Sequence, residues 1–192
     1  LGDSARYRCH HVAEELRLKG FKTSVTVQDN PFLSKYADRF SVVVFHRVLW
    51  TGFVESLVKK LKEQKKTIIF DTDDLVFDPE YFKHMDYFRV MNTFEKKQYE
   101  GGVGAEILAD PYVEVATAST SFLADKLRDR GKKVFLVPNR LSEEDVKIAE
   151  KNYEARSVQY ESNQKSNNGE GMLGTHDSLR TIHTITIGYF SG

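Results

Sequence analysis

The chain is poor in cysteine. Its 192 residues include one, Cys9, so no internal disulfide can form, a pattern that fits a reducing cytosol. It also lacks a charge excess. Lys+Arg and Asp+Glu both number 28, for a formal net charge of zero. Polyanion-binding proteins normally carry a basic surplus, so this balance argues against a nucleic-acid partner. No apolar run approaches the length that spans a bilayer, and no signal-peptide pattern opens the chain. There is no internal repeat. The chain starts at Leu1 instead of Met, as a piece of a longer protein is expected to.

What is present is the make-up of a globular domain. Hydrophobic residues are 40% and charged residues 29% of a chain long enough for one good core or somewhat more. SARYRCHHVAEELRLKGF reads as a helix, with Ser4 as a candidate N-cap and Gly20 as its stop. KTSVTVQ, residues 22–28, has the β-branched alternation of a strand. SVVVFHRV and TIIFD are continuous apolar runs, suited to strands covered on both faces. Between them, GFVESLVKKLKEQKK puts Phe53, Val54, Leu57, Val58 and Leu61 on one helical face. Helix-compatible sequence runs from about His84 to Ala109, interrupted by Gly101, Gly102 and Gly104. No strand precedes those glycines, so they are not a dinucleotide fingerprint. YVEVATAS, TSFLADKLRDRGK and KVFLVPN follow as strand, helix and strand. This alternation predicts the α/β class, with a Rossmann-like doubly wound parallel sheet.

Beyond it, SEEDVKIAEKNYEARSV opens with a capping-box-like pattern at Ser142 and should be helical. From about Gln159 to Ser178 the sequence turns polar and rich in Gly and Asn, as a linker does. TITIGYFSG is again a strand followed by a glycine turn. The expected organisation is a Rossmann-like domain over 1–155, a flexible linker over 156–180, and over 181–192 the first strand of a second domain, which could also pack into the first domain's sheet.

In doubly wound sheets ligands sit beyond the carboxyl ends of the strands. Those ends here carry Phe45-His46-Arg47, Asp71-Thr72-Asp73-Asp74, Thr117-Ala118-Ser119-Thr120 and Pro138-Asn139-Arg140. The aspartates draw attention first, because clustered carboxylates after a buried strand need a partner, a proton or a cation. They can bind hydroxyls at a ligand-facing edge, or Asp73 and Asp74 can cap a turn. Arg6 and Arg8 open the first helix, where an anion would be favoured. His46 suits acid/base or hydroxyl-binding work, or a structural hydrogen bond. Asn139 after Pro138 can cap a turn or touch a ligand. His10, His11, His84, His176 and His183 show no metal-ligand spacing.

Two enzyme families share part of this pattern. The Asp71-x-Asp73 spacing looks like the first motif of haloacid dehalogenase-type phosphatases. That reading makes Asp71 a nucleophile and requires Mg²⁺, but Leu75 departs from the motif. Taken in order, SARYRC…ELRLKGF, VVVFHRV, KKTIIFDTDDLVFDP, VATASTSFLADKLRDRGKKVFLVPNRLSEE and ITIGYFSG resemble something else. They are similar to the amino-terminal half of a retaining GT-B-fold glycosyltransferase like those of glycosyltransferase family 4. The resemblance covers about residues 3–150 and the last eight or so. FDTDDLVF and IGYFSG are its most specific pieces.

The resemblance implies two Rossmann-like domains facing across a cleft, the first for the acceptor and the second for a nucleotide-sugar donor. Asp71 and Asp73 would then be the catalytic carboxylates. Asp74 would line the cleft with them, and Arg6 and Arg8 would approach the donor diphosphate, with Thr120 and Asn139 on the same rim; His46 is a further substrate-binding candidate. It implies no metal or other cofactor. The partners would be a nucleotide sugar and a glycan or lipid-linked acceptor, met in the cytoplasm or by peripheral association with a membrane. A non-catalytic α/β binding module is the remaining reading.

The resemblance also implies a first strand before Gly2 and a donor domain after Gly192, neither of which is among the 192 residues. The isolated chain is therefore expected to be inactive. A doubly wound sheet keeps its first strand in the middle. KTSVTVQ and TIIFD are thus expected to flank a slot, with Thr184–Tyr189 filling it parallel to TIIFD.

Overall fold

The structure is a computed structural model that describes residues 3–167 except 83, 85, 94, 95 and 97–100. Its centre is a four-stranded parallel sheet built from β1 (Val42–His46), β2 (Thr67–Thr72), β3 (Val115–Ala118) and β4 (Lys133–Leu136), in the spatial order β1-β2-β3-β4. Helices flank it, as expected of a Rossmann-like doubly wound fold. The order follows the sequence, so every crossover steps the same way. Right-handed crossovers then leave their helices on one face.

That face carries Val43, Phe45, Ile68, Phe70, Ala116 and Ala118, the inward alternate residues of three strands. It is covered by α3 (Gly52–Glu63), α6 (Ala105–Ala109) and α7 (Ser121–Arg128). These contribute Val54, Leu57, Leu61, Ile107, Leu123 and Leu127 to a single buried core. Thr51 and Thr120 cap the starts of α3 and α7, each accepting a backbone N–H three residues on. The apolar spacing of GFVESLVKKLKEQKK thus describes the buried side of α3.

The opposite face is served by the amino-terminal helix. Asp3–Ala5, Arg6–His10 and α1 (His11–Leu18) follow one another without a break, the middle turn in π geometry. The helix ends in a Schellman motif. Phe21 N–H bonds Leu16 O at 3.0 Å and Gly20 N–H bonds Arg17 O at 2.9 Å, with Gly20 at φ +87°. Gly20 is therefore the predicted stop, whereas Ser4 lies inside the helix and is not its cap.

Other short helices are α2 (Leu33–Ala37), α4 (Pro79–Phe82) and α5 (Asp86–Val90), so the stretch from His84 to Ala109 holds short pieces among the described residues and not one long helix. Gly102 explains part of the interruption. Its φ is +89°, and a Cβ there would fall 2.5 Å from Phe77 O. That close approach lets Val103 N–H bond Val76 O at 2.7 Å, fastening the glycine stretch to the turn after β2.

Several expectations are corrected. KTSVTVQ is not a strand: only Thr23 makes an isolated bridge, and residues 24–27 join no ladder. Neither edge of β2 is open, because β1 pairs with it on one side and β3 on the other. A slot beside TIIFD therefore does not exist. The segment Thr184–Tyr189 lies outside the described residues, as do His176 and His183. Among the described residues, the first compact unit runs to Arg140. The second begins at Leu141 and contains α8 (Glu143–Asn167), which Ser142 caps by accepting Asp145 N–H at 3.1 Å. The helix continues well past Gln159, where the sequence reading began its linker. No Gly or Pro interrupts it before Gly169, and polar side chains such as Glu, Gln and Lys are good helix formers.

Candidate functional site

The sheet register assembles the site. His46 lies opposite Asp71 in the β1–β2 pairing, and Asp71 lies opposite Thr117 in the β2–β3 pairing. Residues opposed in a parallel ladder point to the same face, so a histidine, an aspartate and a threonine stand in one row at the carboxyl end of the sheet. The amino-terminal helix adds Arg8 to that row. Arg8 donates through Nε to Asp71 Oδ2 at 3.0 Å and through Nη2 to Asp71 Oδ1, a two-pronged pair in which neither side chain is exposed. Its Nη1 donates to Val137 O at 2.8 Å and to Asn139 Oδ1 at 2.9 Å, which ties the end of β4 into the same network.

Asp71 is therefore enclosed. A carboxylate has roughly four acceptor positions. Arg8 takes two and Thr117 Oγ1 takes a third at 2.6 Å. His46 Nδ1 sits 2.8 Å from Oδ2, close enough to pair although outside hydrogen-bonding geometry. Burial alone would raise the Asp71 pKa. The close approach of His46 and the paired Arg8 guanidinium outweigh it and hold the carboxyl below its ordinary value. A carboxylate so enclosed, with no exposed surface, is out of reach of phosphorus or a sugar. The Asp71 nucleophile reading and the catalytic role expected for Asp71 do not fit this geometry. Arg8, expected to meet a diphosphate, is instead a buried clamp.

The next layer outward is more open. Asp73 is 9% exposed and receives Ser4 Oγ–H at 2.8 Å on Oδ2 and Arg47 Nε–H at 2.8 Å on Oδ1. His46 Nε2 lies 2.9 Å from Ser4 Oγ. The sequence Asp71, His46, Ser4 has the connectivity of a hydrolytic triad. The serine proton, however, points to the Asp73 carboxylate, a stronger acceptor than an imidazole, so Ser4 is not set up as a nucleophile.

Arg47 is 37% exposed and sits at φ +50°, a left-handed conformation that costs a non-glycine residue on the order of 1 kcal/mol. That strain aims its guanidinium at Asp73 and, at 3.4 Å, at Asp74. Asp74 is 42% exposed and also accepts Leu75 N–H at 2.7 Å, capping the short 3₁₀ turn Leu75–Phe77. Thr72 Oγ1 closes the turn by donating to Asp74 O at 2.6 Å.

The predicted residues thus divide. Arg8, Asp71, His46 and Asn139 converge in the buried network, and His46, Asp73 and Asp74 form the open rim with Arg47 and Ser4. Thr120 stands apart, its hydroxyl oxygen used as the cap of α7. Arg6 is exposed on the π turn. Ser4, read from the sequence only as a helix cap, and Thr117, named only at its strand end, are the participants whose role the sequence did not show. Thr117 could have been found from the register, and Arg8 from its place on the buried helical face with Ala5, Cys9 and Val12.

Beside this rim a cavity of about 470 Å³ runs along the outer edge of β1, with Ser4, His46 and Arg47 at its polar end. Among the described residues, no three His, Cys, Asp or Glu side chains converge as a metal site requires, and no helix is long and apolar enough to cross a membrane. No protein-family model, curated protein or solved structure matches the chain.

Proposed function

We propose that the chain is the acceptor-side domain of a sugar transferase that moves a sugar from a nucleotide-sugar donor to a glycan or lipid-linked acceptor. One observation carries this reading. The buried Arg8–Asp71 pair fixes His46, and around it Asp73, Asp74, Arg47 and Ser4 form a rim of alternating acceptors and donors at the strands' carboxyl ends. Sugar hydroxyls each donate and accept, so such a rim matches them in kind, and the buried network keeps it in place before ligand arrives. The order of motifs shared with glycosyltransferase family 4 points the same way.

On this reading Asp73 is the carboxylate that meets the acceptor hydroxyl, and Asp71 acts through His46 and Arg8 as a positioning residue. Arg47 and Ser4 hold Asp73, and Asp74, met by Arg47, completes the rim. The donor diphosphate would meet Arg6, the exposed arginine of the first turns, and a second domain that the 192 residues do not include.

The test is a titration of the full chain with a panel of oligosaccharides and nucleotide sugars, followed by NMR on the side-chain and backbone signals of Ser4, His46, Arg47 and Asp73. Saturable shifts at these residues with a saccharide, abolished by Asp73→Asn, are expected. Saccharide binding elsewhere, or none across the panel, overturns the assignment.

A further inference from the structure

Strand β1 has an unusual setting. It is an edge strand, paired only with β2 among the described residues. Yet Val43, Val44 and Phe45 are 2%, 2% and 4% exposed. Natural edge strands protect themselves with charge, proline or a bulge. The run Val42-Val43-Val44-Phe45 has no charged residue and no proline, and its pairing with β2 runs residue for residue without a bulge. Backbone groups buried along an unpaired edge are costly unless they find partners.

The cavity lies along this edge. Val43 and Phe45 form one wall, Val25 and Val27 another, and Leu33 and Val54 close it from α2 and α3. The wall at Val25–Gln28 is the KTSVTVQ segment, which has strand-like sequence but no ladder. An apolar small molecule could fill such a space but could not pair the β1 backbone. A β-strand does both, which favours a strand over a ligand.

We propose that this slot is a strand-acceptor site, and that the chain's own segment Ile185–Tyr189 enters it as a fifth strand beside β1. The segment reads Ile-Thr-Ile-Gly-Tyr, with Ile185 and Ile187 on one side and Thr186 on the other. It is a β-branched run that lies outside the described residues.

Reach permits the return. Residues 168–184 can span roughly 55–60 Å when extended. Helix α8 is about 37 Å long at 1.5 Å per residue, and the existing sheet is roughly 15–20 Å across. The linking residues can bring the segment back whichever way the helix points. The proposal does not depend on the sugar-transfer reading.

The experiment uses the full chain and its single cysteine, Cys9, which lines the slot. Ile185→Cys, Thr186→Cys and Ile187→Cys are made separately and oxidised at low protein concentration. Products are read as linked peptides by mass spectrometry. Disulfides within one chain are expected, with positions 185 and 187 behaving alike and 186 differently. Absence of a link from all three positions, together with unaltered amide exchange at β1 in the aspartate variants below, overturns the proposal. Links only between chains also overturn it, and assign the slot to a second copy.

A second measurement does not need the cysteine. In the full chain, Ile185→Asp with Ile187→Asp should speed amide exchange across Val42–His46 by at least about tenfold, with exchange in β3 unchanged. Unaltered exchange at β1 would reject the strand.

Discussion

Arg8 and Asp71 stand 63 residues apart in sequence and meet face to face with both side chains fully buried. The pair joins the amino-terminal helix to β2, and through Arg8 also to Val137 and Asn139 beyond β4. Removing one partner of such a pair strands the other charge in the interior, at a cost of about 3–5 kcal/mol. Asp71→Asn and Arg8→Met should each lower stability by that amount in urea unfolding. The double variant Arg8→Met with Asp71→Leu should lie well above the level expected from adding the single losses, because no unpaired charge remains. Additive losses would mean that the two side chains are not coupled as described.

Asp73 should behave in the opposite way. Its partner Arg47 is partly exposed, and ion pairs of that kind contribute at most about 1 kcal/mol. Asp73→Asn should therefore leave the unfolding midpoint nearly unchanged. In a transferase carrying this domain it should lower turnover by about two orders of magnitude, without the loss of stability that accompanies Asp71→Asn. Full turnover in the Asp73 variant would remove Asp73 from the site.

These two aspartates show what was legible in the sequence. The placement of Asp71, Asp73 and Asp74 at the end of a buried strand follows from an apolar run that stops at a charge cluster, and the structure has that strand end there. Their division into an enclosed carboxylate and an open one was not legible. It depends on a partner 63 residues away and on a strand register, neither of which leaves a local mark. Arg8 was misjudged for a related reason. Charged residues are rarely fully buried, so an arginine near a helix start reads as solvated. KTSVTVQ failed differently: its local preference is for a strand, but a strand needs a neighbour to pair with, and the adjoining position is a cavity.

Acid should act on the same pair. Asp71 is held below its ordinary pKa, since His46 and Arg8 outweigh the opposing effect of burial. A group whose folded pKa is depressed adds stability above its unfolded pKa, about 3.9, and loses it as pH falls through the folded value. Urea midpoints measured downward from pH 6 should hold steady for this group to about pH 4.5 and then decline. Asp71→Asn should flatten the part of the decline that lies below about pH 4. An identical acid profile in the variant would show that Asp71 is not the responsible group.

Two glycines separate backbone strain from steric contact. Gly20 and Gly102 have nearly equal φ, +87° and +89°. A Cβ on Gly20 meets nothing within 4 Å, whereas one on Gly102 meets Phe77 O at 2.5 Å. Gly20→Ala should cost only the left-handed penalty, about 1–2 kcal/mol. Gly102→Ala should cost about 1–3 kcal/mol more, because a backbone carbonyl must move and with it the turn that carries Asp73 and Asp74. Equal thermal shifts for the two variants would contradict the close packing of Gly102 on Phe77.

Cys9 gives a chemical readout of the interior beside the site. Burial first, and then the nearby Asp71 charge, push its thiol up to about 12, with Arg8 opposing. The thiolate is the reactive form, and an unperturbed thiol has a pKa of about 8.5. At pH 8 the folded chain should therefore hold roughly three orders of magnitude less thiolate than the unfolded one. Alkylation with iodoacetamide, followed by intact mass, should be very slow in buffer and fast in concentrated urea. Asp71→Asn removes one of the charges that hold the thiol protonated, and it also loosens the fold around Arg8. Both changes should speed the reaction. If native Cys9 reacts at the rate of a free thiol, the helix carrying Ser4, Arg8 and Cys9 does not pack on the sheet as described, and the rim built on that helix loses its support.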